Sequence, residues 1–222
     1  MNKPSVIDNN FLNQVERNDI KHKVLALKSL WKSIVPSKEQ FILCSMLPAG
    51  MYSNKYDSQG IVDSNMIMMG NFSAYYNKLK NTLASYYQRP VNFHPNLQLP
   101  GFHVFSNTKD TTSFYSKVNF HIDFFKSIEN YMVLGTMESI IIPIELPESG
   151  GSLIYNTTRP RDSRYVANIA TDERFNYTLG MIAVWPGNLM HSIGPITLSP
   201  TEHRITMQMH INLTDRQGIV FW

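Results

Sequence analysis

The second half of the chain is broken into short strand-like segments, and this pattern limits the possible folds more than any other feature. From residue 98 onward, runs of β-branched and aromatic residues alternate with turn sequences such as SNTKD, PESGG, PGN and LSPTE. The candidate strands are GFHVF (101–105), SFYSKVNFHID (113–123), SIIIPIEL (139–146), GSLIYN (151–156), MIAVWP (181–186), HSIGPI (191–196) and HRITMQMHIN (203–212). Many short strands separated by turns are typical of sandwiches, jelly rolls and barrels, so we predict a mainly β fold.

The first 97 residues have a more helical character. Apolar residues favour a helix within 11–35, although the polar run ERNDIKHK interrupts the pattern. Tyrosines and leucines at three- and four-residue spacing predict a clearer amphipathic helix over 72–88, which Pro90 stops. Between the two, FILCSMLPAGM has the composition of a buried strand.

Length and composition are those of a single globular domain. The chain has 222 residues, of which 43% are hydrophobic and 17% charged, and it shows no internal repeat or linker. We therefore predict one domain over 1–222. In it, a helix-rich part, 1–97, packs on a β core, 98–222, which carries a polar insertion at 157–178.

Charge, cysteine content and hydropathy argue against several classes of protein. The formal net charge is +3 without a Lys/Arg run, which gives no indication of nucleic-acid binding. Cys44 is the only cysteine, so an intrachain disulfide is impossible. The polar N-terminus lacks the apolar core of a secretion signal, and no apolar run approaches membrane-spanning length. These features predict a soluble, cytoplasmic protein without a membrane partner.

Two candidate strands carry one polar face each. Side chains alternate across a strand, and the two polar sets are Lys117, Asn119, His121 and Asp123, and Arg204, Thr206, Gln208, His210 and Asn212. Polar faces usually meet water, and alternation alone favours that arrangement. The alternative is that both faces line a wet pocket.

A third segment supplies a further candidate ligand that can act together with the residues of these two polar faces. In WPGNLMHSIGPI, Trp185 ends an apolar strand, a Pro-Gly-Asn turn follows, and His191 opens the next strand. Two histidines and one carboxylate on one face of an octahedron leave three positions open, as in non-haem Fe(II) oxygenases. Arg204, with Thr206 on the same face, is suited to bind a carboxylate bidentately.

Over residues 100–212 the sequence resembles the Fe(II)/2-oxoglutarate-dependent dioxygenase superfamily, especially its prolyl-hydroxylase-like branch. His121-Ile122-Asp123 resembles the family's His-x-Asp, and PESGGSLIYN resembles the Gly-Gly-x-Leu turn and strand that follows it. YTLGMIAVWPGNLMHSIGPI resembles the apolar strand and loop before the distal histidine, and Arg204 with Thr206 resembles the Arg-x-Ser/Thr pair.

The resemblance implies a fold, a set of cofactors and a reaction. The fold would be a double-stranded β-helix, a jelly-roll barrel that helices buttress. His121, Asp123 and His191 would be the catalytic residues that bind Fe(II), while Arg204, Thr206 and Asn119 would line the 2-oxoglutarate site. With O2, the enzyme would hydroxylate a C–H bond and release succinate and CO2. Because halogenating relatives replace the carboxylate by a small residue, the presence of Asp123 argues against halogenation.

The substrate and two other classes of protein stay open at this stage. The substrate would be a small molecule, such as a free amino acid, or a peptidyl side chain. A cupin-like metalloenzyme that does not use 2-oxoglutarate is one alternative, although Arg204 would then have no purpose. A non-catalytic jelly-roll binding module is the other, although it would have no reason to keep a complete triad.

Four further features raise specific questions. Phe105 stands where the family pattern leads us to expect a tyrosine that contacts 2-oxoglutarate, so a hydroxyl contact is either missing or supplied elsewhere. His103 either faces the pocket or packs, whereas His210, on the face of Arg204, is expected to be a hydrogen-bonded histidine of the barrel. The insertion 157–178 is either a substrate lid or a solvated loop.

Overall fold

The computed structural model describes residues 3–35, 40–43, 58–107, 111–115, 120–123, 135–157 and 172–222. Within these ranges the protein is mainly β, with two α-helices and one short 3-10 helix at Lys28–Leu30. The α-helices are α1 (Gln14–Ala26) and α2 (Ser58–Tyr87). The strands are β1 (Ser5–Asp8), β2 (Trp31–Val35), β3 (Gln40–Leu43), β4 (Val91–Phe93), β5 (Gly101–Ser106), β6 (Ser113–Tyr115), β7 (Thr136–Glu145), β8 (Ser152–Asn156), β9 (Glu173–Asn176), β10 (Ile182–Pro186), β11 (Met190–Ile193), β12 (Ile196–Leu198), β13 (His203–Leu213) and β14 (Gly218–Phe221).

One large sheet organises the molecule. Its strands follow the order β1-β10-β7-β13-β5-β3-β2, and every neighbouring pair is antiparallel. The far end of β13 also pairs with β14, which carries β4 in parallel. The strands at both ends of this order, β1 and β2, come from the first 97 residues, so that part of the chain completes the sheet as well as providing helices.

Two helix predictions differ from the structure. The helix predicted within 11–35 ends at Ala26, and residues 31–35 are instead strand β2, because their backbone pairs with β3. The polar run ERNDIKHK lies inside α1, whose first turn is stabilised by a capping box between Asn13 and Glu16. The helix predicted over 72–88 begins earlier, at Ser58. Of the predicted strand FILCSMLPAGM, residues 41–43 belong to β3, and the rest lies outside the described residues.

The helices cover one face of the large sheet. Residues of α2 at helical spacing are buried, namely Met68, Phe72, Tyr76, Leu79 and Leu83. They belong to one apolar cluster with the odd-numbered residues of β13, which are Ile205, Met207, Met209 and Ile211. The even-numbered residues of β13 therefore point to the opposite face of the sheet.

That opposite face meets a second layer of strands. A three-stranded sheet has the order β11-β8-β9, and β12 pairs with β6. Ile141 and Trp185 of the large sheet share an apolar cluster with Leu153 and Tyr155 of β8. The even-numbered side chains of β13 consequently lie between two layers, and Arg204 and Thr206 have no exposed surface. Alternation alone favoured a water-facing position for them, and that interpretation is wrong.

No helix among the described residues is long and apolar enough to cross a membrane.

Candidate metal centre

The backbone brings His121 and His191 side by side. Each N–H donates to the carbonyl oxygen of the other residue at 2.9 Å, which forms an isolated antiparallel bridge. Their ring centroids are 4.5 Å apart. Two residues further on, the Asp123 N–H donates to the Gly187 carbonyl in the Pro-Gly-Asn turn. A Cβ at Gly187 would lie 2.7 Å from the terminal methyl of Met137 and 3.2 Å from the Met137 carbonyl oxygen, so the turn passes close to β7.

These contacts gather three potential ligand atoms at one point. His121 Nε2 lies 3.6 Å from Asp123 Oδ1, and His191 Nε2 lies 3.3 Å from Asp123 Oδ2. One ligand atom from each of the three residues lies within 4.8 Å of the others. For metal–ligand bonds of about 2.1 Å, neighbouring atoms of an octahedron are about 3 Å apart, so one ion fits with small adjustments.

Burial and hydrogen bonding prepare these side chains for a cation. Burial by itself would raise the pKa of Asp123, but the nearby charges of His191, His210 and His121 and a hydrogen bond from Ser139 lower it to about 2. Burial lowers the pKa of His191, against the opposing effect of Asp123. His191 Nδ1 is 2.8 Å from the Leu189 carbonyl and must donate to it, which leaves Nε2 as the atom for a metal.

The mouth of this cluster is at His121. The side chain of His121 keeps 47% of its surface exposed, whereas that of His191 keeps 5%. On the inner side, the edge of Trp185 meets the His191 ring at 5.3 Å between centroids. The cluster is therefore closed on one side and open to ligands on the other.

A buried arginine without an anionic partner among the described residues lies on the inner face of the large sheet. Arg204 has no exposed surface, and its guanidinium nitrogens make no hydrogen bond of normal geometry to the described residues, although the Tyr177 hydroxyl lies near enough to interact with them. Its guanidinium carbon lies 5.3 Å from the ring centre of Phe105 and 5.8 Å from that of Tyr177. A buried cation without an anion is costly, which indicates a site for an anionic ligand.

Tyr177 is a site residue that the sequence reasoning missed. Its buried hydroxyl makes no hydrogen bond of normal geometry within the described ranges, and its near neighbour is the Arg204 guanidinium. Burial raises the pKa of this hydroxyl to about 12, although the charge of Arg204 and its contact with the hydroxyl act in the opposite direction. Tyr177 directly follows β9, at the end of the predicted insertion. The only sequence signal for it was the missing tyrosine at Phe105.

The other predicted co-substrate residues have different outcomes. Thr206 lies on the same face as Arg204, is fully buried, and accepts a long hydrogen bond of 3.4 Å from Gln208. Asn119 lies outside the described residues, so its assignment to the site stays a prediction. Residues 158–171 of the insertion also lie outside them, and the lid hypothesis stays a prediction too.

His103 faces the interior rather than the helices. It is paired with Thr206 across β5 and β13, and its ring packs edge to face against Trp222 with centroids 4.9 Å apart. Both ring nitrogens are inaccessible and lack a hydrogen-bond partner among the described residues. Burial, with a contribution from Arg204, lowers the pKa of His103 to about 3, so the imidazole is neutral.

His210 is hydrogen bonded, as expected. Its Nδ1 lies 3.2 Å from the hydroxyl oxygen of Ser139, which also contacts Asp123. Its ring stacks on Trp222 with an interplanar angle of 13°. Ser139 is a second residue that the sequence reasoning missed, because a serine within an apolar strand carries no signal of its own.

The fold resembles that of solved structures that include a non-haem α-ketoglutarate-dependent epimerase, in agreement with the resemblance predicted from the motifs. No family model and no curated protein matches the sequence. The likeness comes from solved structures, at identities that show the fold alone.

Three of these structures illustrate the similarity. AviO1 from Streptomyces viridochromogenes Tue57 is 13% identical, with a TM-score of 0.51 over 96% of this chain and 90% of that one. SnoN, a non-haem α-ketoglutarate-dependent epimerase from nogalamycin biosynthesis, is 10% identical, with a TM-score of 0.51 over 93% of this chain and 77% of that one. A prolyl-4-hydroxylase from Pseudomonas putida is 10% identical, with a TM-score of 0.42 over 93% and 89%.

Proposed function

We propose that this protein is an Fe(II)- and 2-oxoglutarate-dependent oxygenase. It would hydroxylate an unactivated C–H bond of a small molecule, such as a free amino acid, or of a peptidyl side chain, and release succinate and CO2. This proposal depends on two features that lie together in the interior of the protein. A cluster of two imidazoles and a carboxylate lies in the same interior as a fully buried arginine that has no anionic partner among the described residues.

The donor set fits Fe(II). His121 Nε2, His191 Nε2 and one oxygen of Asp123 would hold the ion, and imidazole with carboxylate is a donor set suited to Fe(II). Three ligands from the protein leave three octahedral positions for 2-oxoglutarate and O2. When bound, the iron with these two co-substrates supplies the oxidising power that the cleavage of an unactivated C–H bond requires. The exposed side of His121 provides the approach for the substrate.

The arginine fits the distal carboxylate of 2-oxoglutarate. The planar guanidinium of Arg204 binds a carboxylate with two parallel hydrogen bonds, and the Tyr177 hydroxyl is placed to donate a third. Tyr177 would then replace the tyrosine that the family pattern led us to expect at Phe105. The Phe105 ring stacks near the guanidinium and restricts its orientation, and Thr206 adds a hydroxyl on the same face.

We further propose that the strands form a double-stranded β-helix. The large sheet would be one wall of the barrel, with the β11-β8-β9 sheet and the β6-β12 pair as the other. The shared apolar cluster between Ile141, Trp185, Leu153 and Tyr155 supports this packing. A barrel of this kind would keep bulk water from Arg204 while leaving the metal centre near the mouth.

An anaerobic titration tests this function without knowledge of the substrate. Apo protein receives Fe(II), 2-oxoglutarate, or both, and the visible spectrum is recorded. We expect a weak charge-transfer band only when both are present, because the band requires 2-oxoglutarate bound to iron. Iron binding without the band would contradict the use of 2-oxoglutarate and favour a cupin-like metalloenzyme. Absence of iron binding would favour a binding module.

A further inference from the structure

Ser139 lies at the centre of a hydrogen-bonded chain that ends on Asp123. Its hydroxyl oxygen is 2.6 Å from Asp123 Oδ2 and 3.2 Å from His210 Nδ1. The strand register explains why these groups converge. On β7, Ser139 is paired with Trp185 of β10 on one side and with His210 of β13 on the other. Ser139 is 1% exposed, so bulk water does not compete for its hydroxyl.

The direction of donation follows from the number of protons. A carboxylate that binds a metal is ionised and can only accept hydrogen bonds. The single hydroxyl proton of Ser139 is therefore donated to Asp123, and Ser139 can only accept from His210. His210 must then carry a proton on Nδ1. The order of donation is His210 to Ser139 to Asp123.

This chain gives the two oxygens of Asp123 different surroundings. Oδ2 accepts the short hydrogen bond from Ser139 and lies 3.3 Å from His191 Nε2, while Oδ1 lies 3.6 Å from His121 Nε2. A carboxylate that binds through both oxygens would fill one of the three open positions. Only two would remain, which is too few for a 2-oxoglutarate that binds through two atoms together with O2. Restraining the carboxylate therefore protects the position that O2 needs.

We propose that Ser139 and His210 are positioning residues that hold the Asp123 carboxylate so that it binds the metal through a single oxygen. This inference rests on the proposed function, because it concerns the same metal. It adds a role for two residues that are not among the predicted metal ligands. Outer hydrogen bonds of this kind typically change metal affinity by about 10–100-fold when they are removed.

The test measures Fe(II) affinity anaerobically by competition with a chromophoric chelator. We expect Ser139→Ala to weaken Fe(II) binding by about 10–100-fold, because Asp123 loses its restraint. His210→Leu should weaken it in the same direction. His210→Asn should keep most of the wild-type affinity for Fe(II), since the asparagine amide donates from nearly the position of Nδ1. With Co(II) in place of iron, Ser139→Ala should change the visible spectrum, which reports coordination number.

Ser106→Ala is the matched control, because Ser106 is 2% exposed and lies on β5 of the same sheet. It should leave Fe(II) affinity within about twofold of the wild type. Thermal unfolding shows which variants fold. If Ser139→Ala does not fold, the comparison of His210→Leu with His210→Asn tests the positioning role. Wild-type affinity in folded Ser139→Ala, or in folded His210→Leu, would overturn the positioning role and leave the proposed function intact. A wild-type protein that binds no Fe(II) would overturn both.

Discussion

His121 and His191 are joined through their backbones by two hydrogen bonds of 2.9 Å, although 69 residues separate them in the sequence. The spacing of the two imidazoles is therefore set by strand pairing as well as by side-chain packing. This pairing would preorganise the two proposed ligands, so metal binding would require little ordering of the chain.

Removing the carboxylate should abolish metal binding. We expect Asp123→Ala to show no Fe(II)-dependent charge-transfer band and no succinate release, because two imidazoles remain without the anion that neutralises part of the metal charge. His191→Ala should behave in the same way. Asp63→Ala, on the exposed side of α2, is the control and should bind iron normally. Undiminished iron binding by Asp123→Ala would show that the metal lies elsewhere.

Replacing the buried arginine should lower the affinity for 2-oxoglutarate and raise the free energy of unfolding of the protein without 2-oxoglutarate. Arg204→Met should weaken 2-oxoglutarate by at least about 100-fold, because a bidentate charged contact is lost, while changing Fe(II) affinity little. Without 2-oxoglutarate, the same variant should have a free energy of unfolding roughly 1–3 kcal/mol higher, since an unpaired buried group is removed. Calorimetric titration and urea unfolding measure the two effects.

The matched control for this arginine is Arg216→Met, at an exposed turn residue, which should change neither quantity. An Arg204→Met protein that binds 2-oxoglutarate normally would refute the assignment of Arg204.

Tyr177→Phe should weaken 2-oxoglutarate by roughly tenfold, as expected for one hydrogen bond to a charged group. Tyr155→Phe is the control from the same apolar cluster, because its hydroxyl bonds to Glu173 instead. Isothermal titration of both variants measures the difference. Equal affinities in the two variants would exclude Tyr177 from the co-substrate site.

Acid should destabilise the apo protein partly through His103. Its pKa is lowered to about 3 in the folded state, so between pH 6.5 and 3 the unfolded chain binds a proton that the folded protein does not. Stability therefore falls as pH falls through this window, by about 2 kcal/mol at pH 5 from this residue. His103→Phe, which keeps a ring against Trp222, should flatten the pH dependence of urea unfolding.

The control for the pH dependence is His22→Phe, at an exposed position of α1. It should leave the slope unchanged. A His103→Phe protein with the wild-type slope would show that other groups account for the acid sensitivity.

Packing of α2 on the sheet should dominate stability. Phe72 is fully buried and its ring centre lies 4.8 Å from that of Phe102, so Phe72→Ala should cost about 3–5 kcal/mol. Met66 lies on the same helix and is 69% exposed, so Met66→Ala should have little effect. Urea unfolding of the two variants makes the comparison, and similar losses in both would contradict the docking of this face.

The sequence by itself predicted the candidate ligands and much of the strand content. His121, Asp123 and Arg204 stand out because each is polar at an alternating position of an apolar candidate strand, which is a local property. The amphipathic spacing of α2 was visible for the same reason. The structure brings the first two together with His191, and their role as ligands stays part of the proposed function.

Tertiary structure decided what depends on pairing between distant segments. The helix prediction extended over residues 31–35, but β3 supplies hydrogen-bond partners that make them a strand. Ser139 gains its position from the register of β7 against β13, far away in the sequence, and Tyr177 follows β9, which pairs with the preceding strand β8. Alternation shows that a strand has a polar face, but only the second layer of strands decides whether that face meets water or encloses a buried cation such as Arg204.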